Sequence, residues 1–240
     1  MGPKFIWVTR TAPYNMLTAH RLKGIGHKAL TIPLLTIKPR PHEALSTQPD
    51  ALAFTSIHAI EHHRLDRRFR DLPVFTVGER TAKLARDAGY RRVQSADGNA
   101  LDLEILIKER MPKGSEIIYY SAAEPAVELV LSLNERGYAA RQITVYESLR
   151  SPSNTITPAL AAMPWMDGVL IHSAKAGRIV AQLIADCGEQ WQGTAYCISE
   201  AAADPLRHLA HGRVNVSEKP NERAMLDLLG RGSPPSLKLR

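Results

Sequence analysis

Ten short apolar runs recur along the 240 residues of this chain, and patterns of helical period separate most of them. The runs are nearly continuous, as strands buried on both faces should be. They predict strands over Phe5–Thr9, Leu30–Leu35, Ala51–Thr55, Val74–Val77, Arg92–Ser95, Glu116–Tyr120, Arg141–Tyr146, Gly168–His172, Ala195–Ile198 and Arg213–Val216. Strand, helix, strand in that order gives parallel sheets with right-handed crossovers. Glycines at Gly24 or Gly26, Gly89, Gly137, Gly188 and Gly212 punctuate the helices, and Ser121-Ala-Ala-Glu124 reads as a capping box opening one of them.

Several runs also end alike. Ala51-Leu-Ala-Phe-Thr-Ser56 and Gly168-Val-Leu-Ile-His-Ser173 each close on a serine before a helix pattern begins. The stretch from Asp50 to Ser56 resembles that from Asp167 to Ser173, and Ile6–Arg10 with its helix resembles Ile117–Ser121 with its own. Two related halves are therefore expected, but out of phase along the chain. Polar, proline-containing stretches at Lys38–Glu43 and Glu147–Ser153 bracket a middle segment of five strands. Two strands precede it and three follow. The expectation is a discontinuous first domain of residues 1–37 and 150–240. A second domain, residues 38–149, is inserted into it through two connectors running in parallel.

Open parallel sheets bind ligands beyond the carboxyl ends of their strands. Thr9, Arg10, Ser56, Gly78, Ser121, Ser173 and Ser199 all fall at such ends. Taken singly, each reads as a helix cap. Together they would rim a cleft with amide and hydroxyl donors plus one guanidinium, which suits a ligand carrying several carboxylates. A formal charge of +7 agrees with an anionic partner. Nucleic acid fits less well, because aromatics are only 6% of residues and none interleave with a basic stretch. No phosphate-loop or dinucleotide glycine pattern occurs. No serine nucleophile elbow occurs either. No apolar run reaches the roughly 20 residues of a membrane span, so a cytoplasmic protein is expected. Cys197 sits in an apolar run and reads as a small buried hydrophobe. His58-Ala-Ile-Glu61-His62 has the order of one class of zinc peptidases. It starts almost at a helix N-terminus and its repeat counterpart after Ser173 lacks it, so it reads as a solvated helix face.

The order of motifs resembles the uroporphyrinogen-III synthase family over nearly the whole chain. Val8-Thr-Arg10, Ile32-Pro-Leu-Leu-Thr-Ile37, Phe54-Thr-Ser56, Val77-Gly78 with Thr81-Ala82, Val145-Tyr146-Glu147, Ile171-His-Ser173 and Pro220 before the last helix carry the likeness. Thr11 and Ala12 stand before Pro13, where many members place the proline directly after Thr-Arg. Ala201 and Ala202 replace two hydroxyl residues of the family pattern. The resemblance implies two flavodoxin-like α/β domains, each a five-stranded parallel sheet flanked by helices, with a hinge in the connectors. It also implies cyclisation of hydroxymethylbilane to uroporphyrinogen III, with inversion of the last pyrrole ring and loss of water. No metal or cofactor is implied, and Tyr146 is the matching proton donor to the departing hydroxide. A monomer receiving its substrate from hydroxymethylbilane synthase, without membrane or nucleic-acid partners, completes the expectation. A non-enzymatic binding protein for a small anion is the alternative that fold alone leaves open.

Overall fold

The computed structural model describes residues 2–125, 128–187, 191–208 and 213–230. The fold is mixed α/β, dominated by parallel sheets. It has two compact units, one of Met1–Thr36 with Leu149–Arg240 and one of Ile37–Ser148.

The sheet of the first unit contains β1 (Phe5–Val8), β2 (Lys28–Leu30), β9 (Gly168–Ile171), β10 (Thr194–Cys197) and β11 (Val214–Val216). Its order is β11-β10-β9-β1-β2, with each neighbouring pair parallel. The two-residue period of a strand sends alternate side chains to opposite faces. Trp7, Val169, Ile171, Ala195 and Cys197 enter one core, while Ile6, Val8, Leu170 and Tyr196 enter the other. Both faces are thus apolar, which is why these runs show no polar alternation. Cys197 is fully buried, and burial pushes its thiol up to about 12. It is a packing group, as its position in the run suggested.

The second unit holds β4 (Ala51–Phe54), β5 (Pro73–Thr76), β6 (Arg92–Ser95) and β7 (Glu116–Ala122), together with β3 (Leu35–Pro39) and β8 (Ala139–Arg150), which straddle the boundaries between the units. The order is β3-β8-β7-β4-β5-β6. Six strands stand where five were expected. The predicted strand Leu30–Leu35 is in fact two. It breaks around Pro33, which has no amide to give to a ladder, and its second part continues as β3. The connectors were expected to run in parallel, but their chain directions oppose. Arg40 donates to the Val145 carbonyl at 2.8 Å and Ser151 to that of Leu34 at 2.9 Å, the register of an antiparallel pair. The Glu147 carboxylate forms ion pairs with Lys38 (3.5 Å) and Arg40 (3.4 Å) across this pair. Polar composition here marks an exposed edge ladder, not a loose linker.

The internal repeat is visible in detail. The Asp50 carboxylate accepts from the Glu116 amide at 2.8 Å, and the Asp50 amide donates to the Glu116 carbonyl at 2.9 Å. Asp167 does the same with Phe5, at 2.6 and 2.9 Å. Each aspartate ties the start of its strand to the strand beside it. With β7, β8, β4, β5 and β6 set against β1, β2, β9, β10 and β11, the two sheets share one order and differ only in where the chain enters.

Helices cover the sheets: α1 (Tyr14–Gly24), α2 (Ile57–His62), α3 (Glu79–Asp87), α4 (Ala100–Arg110), α5 (Leu129–Glu135), α6 (Ser153–Ala162), α7 (Ala174–Cys187), α8 (Glu200–Ala203) and α9 (Glu222–Asp227). Gly26, Gly89 and Gly137 follow helices with φ of 83°, 107° and 86°, the left-handed conformation that glycine tolerates. Gly188 and Gly212 lie outside the described residues. The capping box is not at Ser121, which remains in β7, because α5 begins only at Leu129. It sits instead at α4, where the Asn99 side chain accepts from Leu101 at 2.7 Å and Asp102 accepts from the Asn99 amide at 2.7 Å. Asn99→Ala should therefore cost about 1 kcal/mol, read as a lower midpoint in urea at unchanged slope. An unchanged midpoint would show that α4 does not depend on its cap. Among the described residues no helix is long and apolar enough to cross a membrane.

Candidate active site

In the first unit the strands β10, β9 and β1 are neighbours, so their carboxyl ends present Ser199, Ser173, Thr9 and Arg10 along one edge. Ser173 follows β9 by two residues, and its hydroxyl accepts from the Ala176 amide at 3.2 Å at the start of α7. Ser199 stands at the same offset from β10 and caps α8 without a side-chain bond to it. Thr9 is buried and its hydroxyl donates to the Leu170 carbonyl at 2.7 Å, so it ties β1 to β9. Arg10 reaches Glu222 at 3.3 Å and lies over the Tyr14 ring at 5.3 Å from its centroid. Glu222 also takes Thr18 and Arg21. The guanidinium is thus fixed from two sides at the strand end. Ala202 is fully buried and its backbone packs on Gly177 of α7, while Ala201 is exposed. The departure at Ala202 therefore falls on a packing position.

In the second unit β8, β7, β4 and β5 are neighbours in that order. The carboxyl ends of β7, β4 and β5 bring Ser121, Ser56 and Gly78 to one edge, and Tyr146 of β8 stands beside them opposite Ala122, the last residue of β7. Ser56 caps α2 by accepting from the His58 amide at 3.1 Å. Gly78 opens α3 at the matching offset, with open space where a Cβ would stand. Ser121 is 1% exposed and donates to the Ala122 carbonyl at 3.0 Å, beside a bulge that sets Ala122 opposite Tyr146. A bulge re-aims the side chains around it.

Tyr146 stands on the β8 side of this edge. It is 7% exposed, and burial pushes its phenol up while a hydrogen bond with Ser56 works the other way. The group therefore stays protonated near neutral pH and can donate. Two residues that sequence reasoning did not place here pack on its ring. His58 meets it edge-on with centroids 5.7 Å apart, and His62 lies at 6.3 Å. His58 Nδ1 and Glu61 Oε2 are 2.8 Å apart. Burial lowers the His58 imidazole despite that carboxylate, which favours the neutral ring. A pair of hydroxyls also lies nearby: Thr55 and Tyr119 are 2.7 Å apart, and burial pushes the Tyr119 phenol up to about 12. The spacing of His58 and His62 did signal one shared helix face. Tyr119, inside a continuous apolar run, carried no signal.

A family model described as uroporphyrinogen-III synthase HemD matches residues 17–227. The chain belongs to the uroporphyrinogen-III synthase family. The solved uroporphyrinogen-III synthetase of Helicobacter pylori is similar in fold, with a TM-score of 0.63 at 20% identity, over 95% of this chain and 98% of that one. A mutant uroporphyrinogen III synthase from the extremely thermophilic bacterium Thermus thermophilus gives 0.62 at 17% identity, over 95% and 96%. No curated protein matches at a significant level. Membership makes this chain a lyase of tetrapyrrole biosynthesis that cyclises a small-molecule substrate. The family resemblance read from scattered short motifs holds at identities this low because it rested on their order.

Proposed function

We propose that the chain closes hydroxymethylbilane to uroporphyrinogen III at the strand-end edges described above, with Tyr146 as proton donor. The buried phenol of Tyr146, on β8 opposite the end of β7, is the observation that carries this reading. The first pyrrole ring loses hydroxide from its hydroxymethyl carbon, and the phenol proton turns the hydroxide into water. The last ring then attacks the resulting azafulvene through its substituted carbon. The spiro intermediate fragments and recloses with that ring inverted, and the proton lost from its α-carbon as the ring regains aromaticity returns to the Tyr146 phenolate. Without the protein's hold on the chain ends, the bilane closes uninverted, so much of the catalysis is proximity.

The substrate's eight carboxylates need donors. Arg10, Ser173 and Ser199 on one unit and Ser56 and Gly78 on the other are the groups we assign to them; Thr9 and Ser121, also expected from sequence, are buried with hydroxyls that donate to the Leu170 and Ala122 carbonyls, so they shape the strand ends instead. Strand order supports the location. Numbered along the chain, the sheet of the first unit reads 2-1-3-4-5, the flavodoxin-like order, for which the carboxyl edge is the binding edge. The second unit follows the same order in permuted form, with β3 added. Arg10 is the strongest candidate for a carboxylate, because it is the one guanidinium among these groups and Glu222 and Tyr14 hold it in place at the strand end. The reading carries with it a cytoplasmic monomer fed by hydroxymethylbilane synthase.

The deciding assay supplies freshly made hydroxymethylbilane, oxidises the products and separates type I from type III porphyrins. Type III is expected to dominate. Type I alone would leave only the small-anion binding alternative.

A further inference from the structure

We infer that His58, Glu61 and His62 form a binding site for one transition-metal dication of the zinc class. The three are on α2, and each offers a ligand atom within 4.8 Å of the others. Residues four apart lie over one another on a helix, so the two imidazoles share a face and the carboxylate stands beside them. Ligands around a tetrahedral zinc with bonds of about 2.0–2.1 Å are about 3.3 Å apart. The remaining closure is small, and Glu61, the exposed member of the three, has room to make it. The two rings are held by packing on Tyr146, so the ligand set is largely ordered in advance.

The donor set names the class of ion. Two imidazoles and one carboxylate suit zinc, nickel or copper, whereas magnesium and calcium want oxygen. Position narrows the possibilities further. His63, next in sequence, faces the Ile60 carbonyl with Nδ1 (2.7 Å) and the Tyr90 hydroxyl with Nε2 (2.7 Å), so both of its nitrogens are committed. The positive end of a short helix opposes a cation by a few tenths of a kcal/mol, and the Glu61 charge offsets that. A fourth position remains for water. The site does not depend on the cyclase reading.

The test uses the full chain, stripped with a chelator and titrated calorimetrically with zinc near neutral pH in excess magnesium. One zinc per chain is expected at micromolar affinity. His62→Gln and Glu61→Gln should each weaken it by about tenfold or more, and the double change His58→Gln with His62→Gln should abolish it. His20→Gln, at an exposed histidine of α1, should leave binding unchanged. Melting curves identify any variant that fails to fold. Should the double variant fail, the two single variants decide. No zinc binding to the wild type, or equal binding by the single variants and the wild type, overturns the site.

Discussion

Tyr146→Phe should lower the initial rate on fresh hydroxymethylbilane by about 10²–10⁴-fold, the usual contribution of a general acid. The change removes one hydroxyl and keeps the ring, so the packing of His58 and His62 against it survives. Ser56 retains its cap on α2, because that bond uses the His58 amide. The melting temperature should therefore move little while the rate collapses. The product that still forms should shift toward type I, since bilane released uncyclised closes by itself. The raised phenol pKa adds a further expectation. A donor must be protonated, and burial holds Tyr146 protonated above the ordinary tyrosine value. Its contribution should persist across neutral and mildly alkaline pH and fall only as pH rises past that value. An unchanged rate for the phenylalanine variant would remove Tyr146 from the chemistry.

Gly177→Ala should destabilise the first unit, although the same change in a free helix would stabilise it by about 1 kcal/mol. A Cβ at Gly177 would stand 2.3 Å from the Ala202 carbonyl oxygen and 3.2 Å from its carbonyl carbon. Those are backbone atoms of α8, which cannot rotate aside. Overpacking of this kind costs about 1–3 kcal/mol, or roughly 2–10 °C in melting temperature for a protein of this size. The contact also sets the spacing of α7 and α8, and hence of Ser173 and Ser199 at their starts. Gly24→Ala provides the control. Gly24 ends α1 with nothing within 4 Å of a built Cβ, so alanine there should be neutral or stabilising. Equal melting temperatures for the two variants would refute the packing argument.

Much of the architecture was legible because strands buried on both faces leave an unmistakable record. Phe5–Val8, Ala51–Phe54 and Gly168–Ile171 were found within a residue of their ends, as was the half-buried edge strand Arg92–Ser95. The errors have physical causes. Pro33 divides a run that looked continuous. Ser121 looks like a cap because serine followed three residues later by glutamate is a local pattern, yet it pairs with Thr144 of β8 and stays extended. The connectors looked like linkers because an exposed edge pair needs no apolar residues to form.

For the candidate site, positions were legible and surroundings were not. Strand ends are local, so Thr9, Arg10, Ser56, Gly78, Ser173 and Ser199 could be named from the run and the residue that closes it. Which of them stand side by side was not local. Strand order decides that, and strand order follows from crossovers and from the packing of two faces. The His58 and His62 rings reach Tyr146 from more than eighty residues away in sequence, and Thr55 reaches Tyr119 from another strand. Periodicity cannot encode such contacts. The chain alone therefore determined two repeated α/β halves with donors at their strand ends, because hydrophobic period and helix punctuation act over a few residues. Only the tertiary structure decided which donors share an edge and what surrounds the phenol, because burial and proximity arise when distant strands are brought into register.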